Sequence, residues 1–194
     1  MKKTGLIRKL CLAVGIGMLL GALTALLYWQ WNIRHSQTQA AQYVQTLGEW
    51  IPTPQNALLE PRLDNTMASL SIDGNDFVGM IEMPRYNSVL PVCGSWGSAG
   101  KYPCRFSGSV YDGSLQIGAT TQQGQYDFYR ELSVGDGVYF TDVEGNRYTF
   151  QVAAMRYESH VDQAALQREE ADLTLFVKNI YSFEYLVIFC ENDP

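Results

Sequence analysis

The sequence is poor in the residues from which metal sites and nucleic-acid surfaces are built. Histidine occurs twice, as His35 and His160, and cysteine four times with no C-x-x-C pair. Such a set does not supply the spaced Cys and His ligands of a zinc site. Basic residues are scarce beyond the N-terminus. Four of the 14, Lys2, Lys3, Arg8 and Lys9, fall in the first 31 residues, which carry no acid. The remainder sets ten basic against 20 acidic residues, a balance of −10. Gripping phosphates needs clustered Lys and Arg, so nucleic-acid binding is excluded. There is no internal repeat, no low-complexity stretch and no motif that calls for a cofactor. With 46% hydrophobic and 18% charged residues the chain is too apolar to be disordered, and 194 residues suit one domain with an appendage.

One long apolar run is present. Leu10–Trp31 (LCLAVGIGMLLGALTALLYWQW) holds 22 residues without a formal charge, enough for a helix to cross a hydrocarbon core of roughly 30 Å. Four cations precede it, and Tyr28, Trp29 and Trp31 close it like an interfacial belt. The positive-inside rule then predicts residues 1–9 as a cytoplasmic tail, 10–31 as an uncleaved membrane span and everything beyond as external. The run exceeds an ordinary signal-peptide core, and no A-x-A site follows it directly. Outside the span remain Cys93, Cys104 and Cys190, so one internal disulfide at most. The sequence does not choose a pair: Cys93 or Cys190 bridging Cys104 and three buried thiols are all open.

Residues 32–66 read as an extracytoplasmic stem: Ser36–Trp50 has mixed helical character, and Pro52 and Pro54 end it. From about Thr66, short apolar runs alternate with turn residues. Strands are predicted at Phe77–Met83, Val89–Cys93, Leu115–Ala119, Leu173–Val177 and Phe183–Phe189. Gly137–Asp142 and Arg147–Ala153 flank Val143-Glu144-Gly145-Asn146 as the clearest hairpin. Asp73-Gly74-Asn75-Asp76 lacks the spacing of a calcium loop and reads as a turn. Helices are expected at Gln122–Leu132 and Gln163–Glu170. Many short strands with occasional helices indicate a mainly β barrel or sandwich.

Several of these pieces carry recognisable wording. Phe77-Val-Gly-Met-Ile-Glu-Met-Pro84 ends as G-x-I-x-I-P does, and Pro103–Ser109 reads PCRFSGS. Leu132–Asn146 (LSVGDGVYFTDVEGN) is close to L-x-x-G-D-x-V-x-F-T-D-x-x-G-N, and Asp172-Leu-Thr-Leu175 opens a further strand. In this order the set resembles the sortase family, membrane-anchored cysteine transpeptidases of Gram-positive surfaces, over roughly residues 75–194. The resemblance implies a sortase-like closed β-barrel with short helices over residues 67–194. It also implies a chemistry. A cysteine thiolate attacks the threonine carbonyl of a sorting-signal peptide, a histidine handles the amine's proton, and an arginine hydrogen-bonds the developing oxyanion.

At the matching positions stand other residues. The histidine of the G-H motif becomes Thr120 in Ala119-Thr120. The T-L-x-T-C motif reads Thr174-Leu175-Phe176-Val177-Lys178, putting Lys178 where the cysteine would be, and the arginine of the last strand becomes Tyr185. Threonine does not titrate near neutrality as imidazole does. Tyrosine offers one neutral hydrogen bond where arginine offers a charged fork. A lysine amide would not turn over like a thioester. The resemblance therefore implies a catalytically inactive, single-pass protein of the plasma membrane whose extracellular domain binds a sorting-signal-like peptide, a surface protein or a partner sortase. Two alternatives stand beside it: a transpeptidase or peptidase rebuilt on Lys178 or on Cys190 with His160, and a structural assembly protein of the cell surface. Gln125, Tyr126, Phe128, Tyr129, Tyr181, Phe183 and Tyr185 are expected around the former cleft. They form either a groove for an extended peptide or the filling of a cavity that catalysis no longer uses.

Overall fold

A computed structural model describes residues 2–60, 64–98, 102–120, 132–162, 165–166, 171–179 and 182–193. The chain divides into two compact units, Met1–Ser36 and Gln37–Pro194. The first is helical. A single helix, α1 (Lys2–Trp50), contains the apolar run, and it is long and apolar enough to cross a membrane. Leu, Ala and Met are strong helix formers, and no proline interrupts them before Pro52. Residues 11–32 are exposed throughout, as a lipid-facing helix requires. At the end of the run Trp31 stacks on His35, with ring centroids 5.3 Å apart.

The second unit is mainly β. Its strands are β1 (Gln55–Asn56), β2 (Leu70–Ile72), β3 (Asn75–Met83), β4 (Ser88–Cys93), β5 (Cys104–Ser107), β6 (Leu115–Thr120), β7 (Gly137–Asp142), β8 (Asn146–Glu158), β9 (Leu173–Lys178) and β10 (Tyr185–Asn192). Eight of them close into a barrel in the order β3-β4-β5-β6-β9-β10-β8-β7, with β7 pairing back to β3; β1 and β2 extend β8 and β3. Pairing around the ring is antiparallel except at β4–β5 and β6–β9. The expected fold class, mainly β with a sortase-like closed barrel and one long N-terminal apolar helix, is the one observed.

Strand alternation decides what fills the barrel. Leu115, Ile117 and Ala119 of β6, Leu173, Leu175 and Val177 of β9, and Leu186, Ile188 and Cys190 of β10 all join the central core. The predicted β7–β8 hairpin is tied by Asp142. Its Oδ1 accepts the backbone N–H groups of Glu144 and Asn146 at 2.9 and 2.8 Å, with Gly145 at φ +87° between them. Asp73 and Gly74 form the predicted turn, both at positive φ, and join β2 to β3. The expected helix at Gln122–Leu132 lies outside the described residues except for Leu132. That at Gln163–Glu170 does so except for Ala165 and Leu166, which form a turn. Before β7, Asp136 accepts hydrogen bonds from Arg85, from the Tyr86 hydroxyl at 2.9 Å and from the Ser133 N–H at 2.9 Å. Burial alone would raise its pKa; these donors outweigh it and hold the carboxyl below its usual range.

Among the described residues, two segments cover the outside of the barrel. Ala40, Leu47 and Ile51 are buried in a cluster with Phe77, Tyr102, Cys93 and Cys104, and Tyr43 packs its ring 5.0 Å from Phe77. On another flank Leu166 is buried against Phe176, Val187 and Phe189. Its carbonyl accepts from Gln116 Nε2 at 3.4 Å and Thr174 Oγ1 at 3.2 Å, pinning that turn to β6 and β9.

Tyr102 records how dry the first of these clusters is. Burial, then the proximity of Tyr43 and Cys93, pushes its phenol from the ordinary 10.0 up to about 12. Between those values the unfolded chain gives up a proton that the folded chain keeps, so stability is full below pH 10 and falls as pH rises through this window. Thermal melts across the alkaline range are expected to show a shallower loss for Tyr102→Phe than for the unaltered chain. An equal loss would mean that this phenol is solvated.

Candidate functional site

β6 and β9 run in parallel with Thr120 opposite Lys178, and β10 returns antiparallel with Tyr185 opposite the same Lys178. Neighbouring strands lie about 4.8 Å apart, so Thr120, Lys178 and Tyr185 form one row across three adjacent strands. Each is half-buried. Alternation places the row outside the barrel, because Ala119, Val177 and Leu186 beside them point into the core. The Lys178 ammonium sits 5.6 Å from the centroid of the Tyr185 ring, a cation–π contact. Glu158 on β8 is the register partner of Tyr185 and continues the row; its carboxylate pairs with Arg156 at 2.7 Å.

An aromatic floor adjoins the row. Phe176, two residues before Lys178 on the same face, packs against Trp96 and Phe106, each at 5.4 Å between centroids, and lies 6.5 Å from Tyr185. Gly118, two residues before Thr120, makes this possible. A Cβ at that position would lie 2.3 Å from the Phe176 ring and 2.5 Å from Trp96. Trp96 and Phe106 remain 41% and 36% exposed and present the floor's solvent-facing surface, while Phe176 beneath them is buried. In the β9–β10 connection Phe183 stands 73% exposed at φ +60°. Its N–H donates to the Asn179 carbonyl at 2.9 Å, and the Asn179 N–H donates to the Glu184 carbonyl at 2.8 Å. A bulky residue in left-handed backbone is rare, and these bonds hold it there.

Of the residues singled out from sequence, Thr120, Lys178 and Tyr185 are brought together, and Phe183 lies at the turn beside them. Gln125, Tyr126, Phe128, Tyr129 and Tyr181 lie outside the described residues. Cys190 and His160 are not brought together. Cys190 is wholly buried inside the barrel opposite Val152, eight residues before the exposed His160 on β8 and its extension. Burial also pushes the Cys190 thiol far up, away from a reactive thiolate. Sequence reasoning missed Trp96, Phe106, Phe176 and Gly118. Alternation on β6 and β9 puts Phe176 and Gly118 on the face of Lys178 and Thr120, a signal that was available; for Trp96 and Phe106 there was none.

The sequence matches no protein-family model and no curated protein. The barrel, in contrast, superposes on solved sortases. Sortase A from Corynebacterium diphtheriae matches with a TM-score of 0.54 at 16% identity, over 62% of this chain and 62% of that one. The domain has the sortase fold. A sortase C from Streptococcus pneumoniae matches at a TM-score of 0.54 and 18% identity over 84% of this chain and 83% of that one. A sortase C from Clostridium perfringens, solved with the C-terminal cell wall sorting motif, matches at 0.51 and 21% over 62% and 72%. The chain thus spans less than two thirds of the length of the Corynebacterium sortase.

The close packing at Gly118 makes a prediction. Gly118→Ala must displace Phe176 or Trp96, and overpacking of this kind costs about 1–3 kcal/mol. Urea unfolding is expected to show that loss together with an altered near-ultraviolet circular dichroism. Unchanged spectra and stability would contradict the packing of the floor.

Proposed function

We propose that this chain is a single-pass, membrane-anchored sortase homologue that has given up transpeptidation and retains peptide binding. The observation that carries this reading is the row Thr120–Lys178–Tyr185 beside an exposed aromatic floor. These positions match the family's histidine, cysteine and arginine motifs, and they hold a hydroxyl, an ammonium and a phenol. No thiolate is there to attack a carbonyl and no imidazole to protonate a leaving amine. What the face does offer is grip: Trp96, Phe106 and Phe183 as apolar contacts, with Lys178 and Tyr185 as donors to a peptide backbone. The Clostridium perfringens sortase C solved with its sorting motif supports a peptide of the sorting-signal class as the ligand; a surface protein or a partner sortase would present it. Lys2, Lys3, Arg8 and Lys9 before the apolar helix support a cytoplasmic N-terminus, which leaves the barrel outside a Gram-positive cell.

The test uses the full chain in detergent with fluorescent sorting-signal peptides and amine acceptors. Expected are saturable binding and no cleaved, transferred or protein-linked peptide by mass spectrometry. Trp96→Ala or Phe183→Ala is expected to weaken binding about tenfold, the cost of truncating one anchoring aromatic. Product that vanishes with Lys178→Ala would instead establish a rebuilt enzyme. Self-association without peptide affinity would establish an assembly protein.

A further inference from the structure

Cys93 ends β4 and Cys104 begins β5, and the two are register partners in the short parallel pairing of those strands. The Cys93 N–H donates to the Pro103 carbonyl at 2.8 Å, locking that register. Directly paired residues on neighbouring strands put both Cβ atoms on one face, with Cα atoms about 4.8 Å apart, inside the range a disulfide spans. The shared face is independently visible. Both side chains belong to the outer cluster with Phe77, Tyr102 and Leu47, where they are 1% and 0% exposed. Both are thiols in this structure, the Cys104 Sγ lying 3.3 Å from the Tyr102 carbonyl. Cys190 lies in the other cluster, inside the barrel, and Cys11 in the apolar helix, so neither competes for the bond.

We infer that Cys93 and Cys104 are joined by a disulfide in the mature protein, clipping β4 to β5 and closing the segment between them. The inference rests on the proposed external location, where oxidation is permitted. The electron acceptor is a thiol–disulfide oxidoreductase in its disulfide form. One cysteine thiolate attacks that disulfide and forms a mixed disulfide. The other thiolate then displaces the oxidoreductase thiol and closes the bond. Two protons and two electrons leave the pair, and the oxidoreductase becomes a dithiol. Because both cysteines are buried in the cluster that Ala40, Leu47 and Ile51 complete, the exchange precedes the closing of that cluster.

The full chain, taken from the membranes of a Gram-positive host and alkylated on denaturation without reductant, is expected to yield one linked peptide pair holding Cys93 and Cys104. That pair is two hydrogens lighter than the separate peptides, with Cys11 and Cys190 alkylated, and Cys93→Ser abolishes it. Protease added to intact cells reports in parallel whether the barrel is outside. Where it is, a Cys104–Cys190 link or alkylation at all four positions overturns the inference. Where it is not, the location has failed, and the same chain refolded in excess oxidised glutathione decides the pairing alone: a dominant Cys93–Cys104 link supports it, and any other distribution overturns it.

Discussion

The parallel ladder between Leu115–Thr120 and Leu173–Lys178 joins segments far apart in the chain, and most of the second unit depends on it. Without it β9 would be an open edge, joined to the rest of the sheet only through β10 and β8, and the eight-stranded ring could not close. Six consecutive register pairs hold the ladder, and alternation divides their side chains into two sets. One set, from Leu115 and Leu173 upward, is apolar and fills the barrel. The other, ending at Thr120 and Lys178, faces outward. A one-residue slip would exchange the two sets and bury the Lys178 ammonium in the core, so the hydrophobic pattern itself protects the register.

The outer surface of the barrel is treated differently on its several flanks. Over β3, β4 and β5 it is sealed by Ala40, Leu47 and Ile51, and over β9 and β10 by Leu166. Between them Trp96 and Phe106 keep substantial exposure over the buried Phe176 ring. Each sealed flank carries its own fixings: the Tyr43, Phe77 and Tyr102 rings on one side, and the paired hydrogen bonds to the Leu166 carbonyl on the other. A solvated aromatic surface between two sealed ones is where a ligand's own apolar groups would gain most from burial.

Much of this was legible in the sequence. Short apolar runs between turn residues marked β3, β4, β6, β7, β9 and β10 to within a few residues. They also marked the start of β8, whose expected end at Ala153 fell short of Glu158, and the Val143–Asn146 turn marked the hairpin. β1, β2 and β5, of two, three and four residues, are too short for any period to register; neighbouring strands define them. The packing of Ala40, Tyr43 and Leu47 left a faint helical spacing that the polar residues between them masked. The row of Thr120, Lys178 and Tyr185 could be anticipated only through motif likeness, because no local pattern announces a register between strands so distant in sequence. The floor depended on where Trp96 and Phe106 come to rest, which is set by the chain's path and not by its periodicity.

The burial of Ala40, Leu47 and Ile51 has a practical consequence for how the protein can be divided. A fragment trimmed to the barrel strands, beginning near Met67, would strip the cover from Phe77, Cys93, Tyr102 and Cys104 and present their apolar surface to water. Such a fragment would be prone to aggregate, and its failure would say nothing about the barrel. A soluble version must retain the helix from at least Gln37 onward, so the natural place to cut lies just beyond the apolar run and well before the first strand.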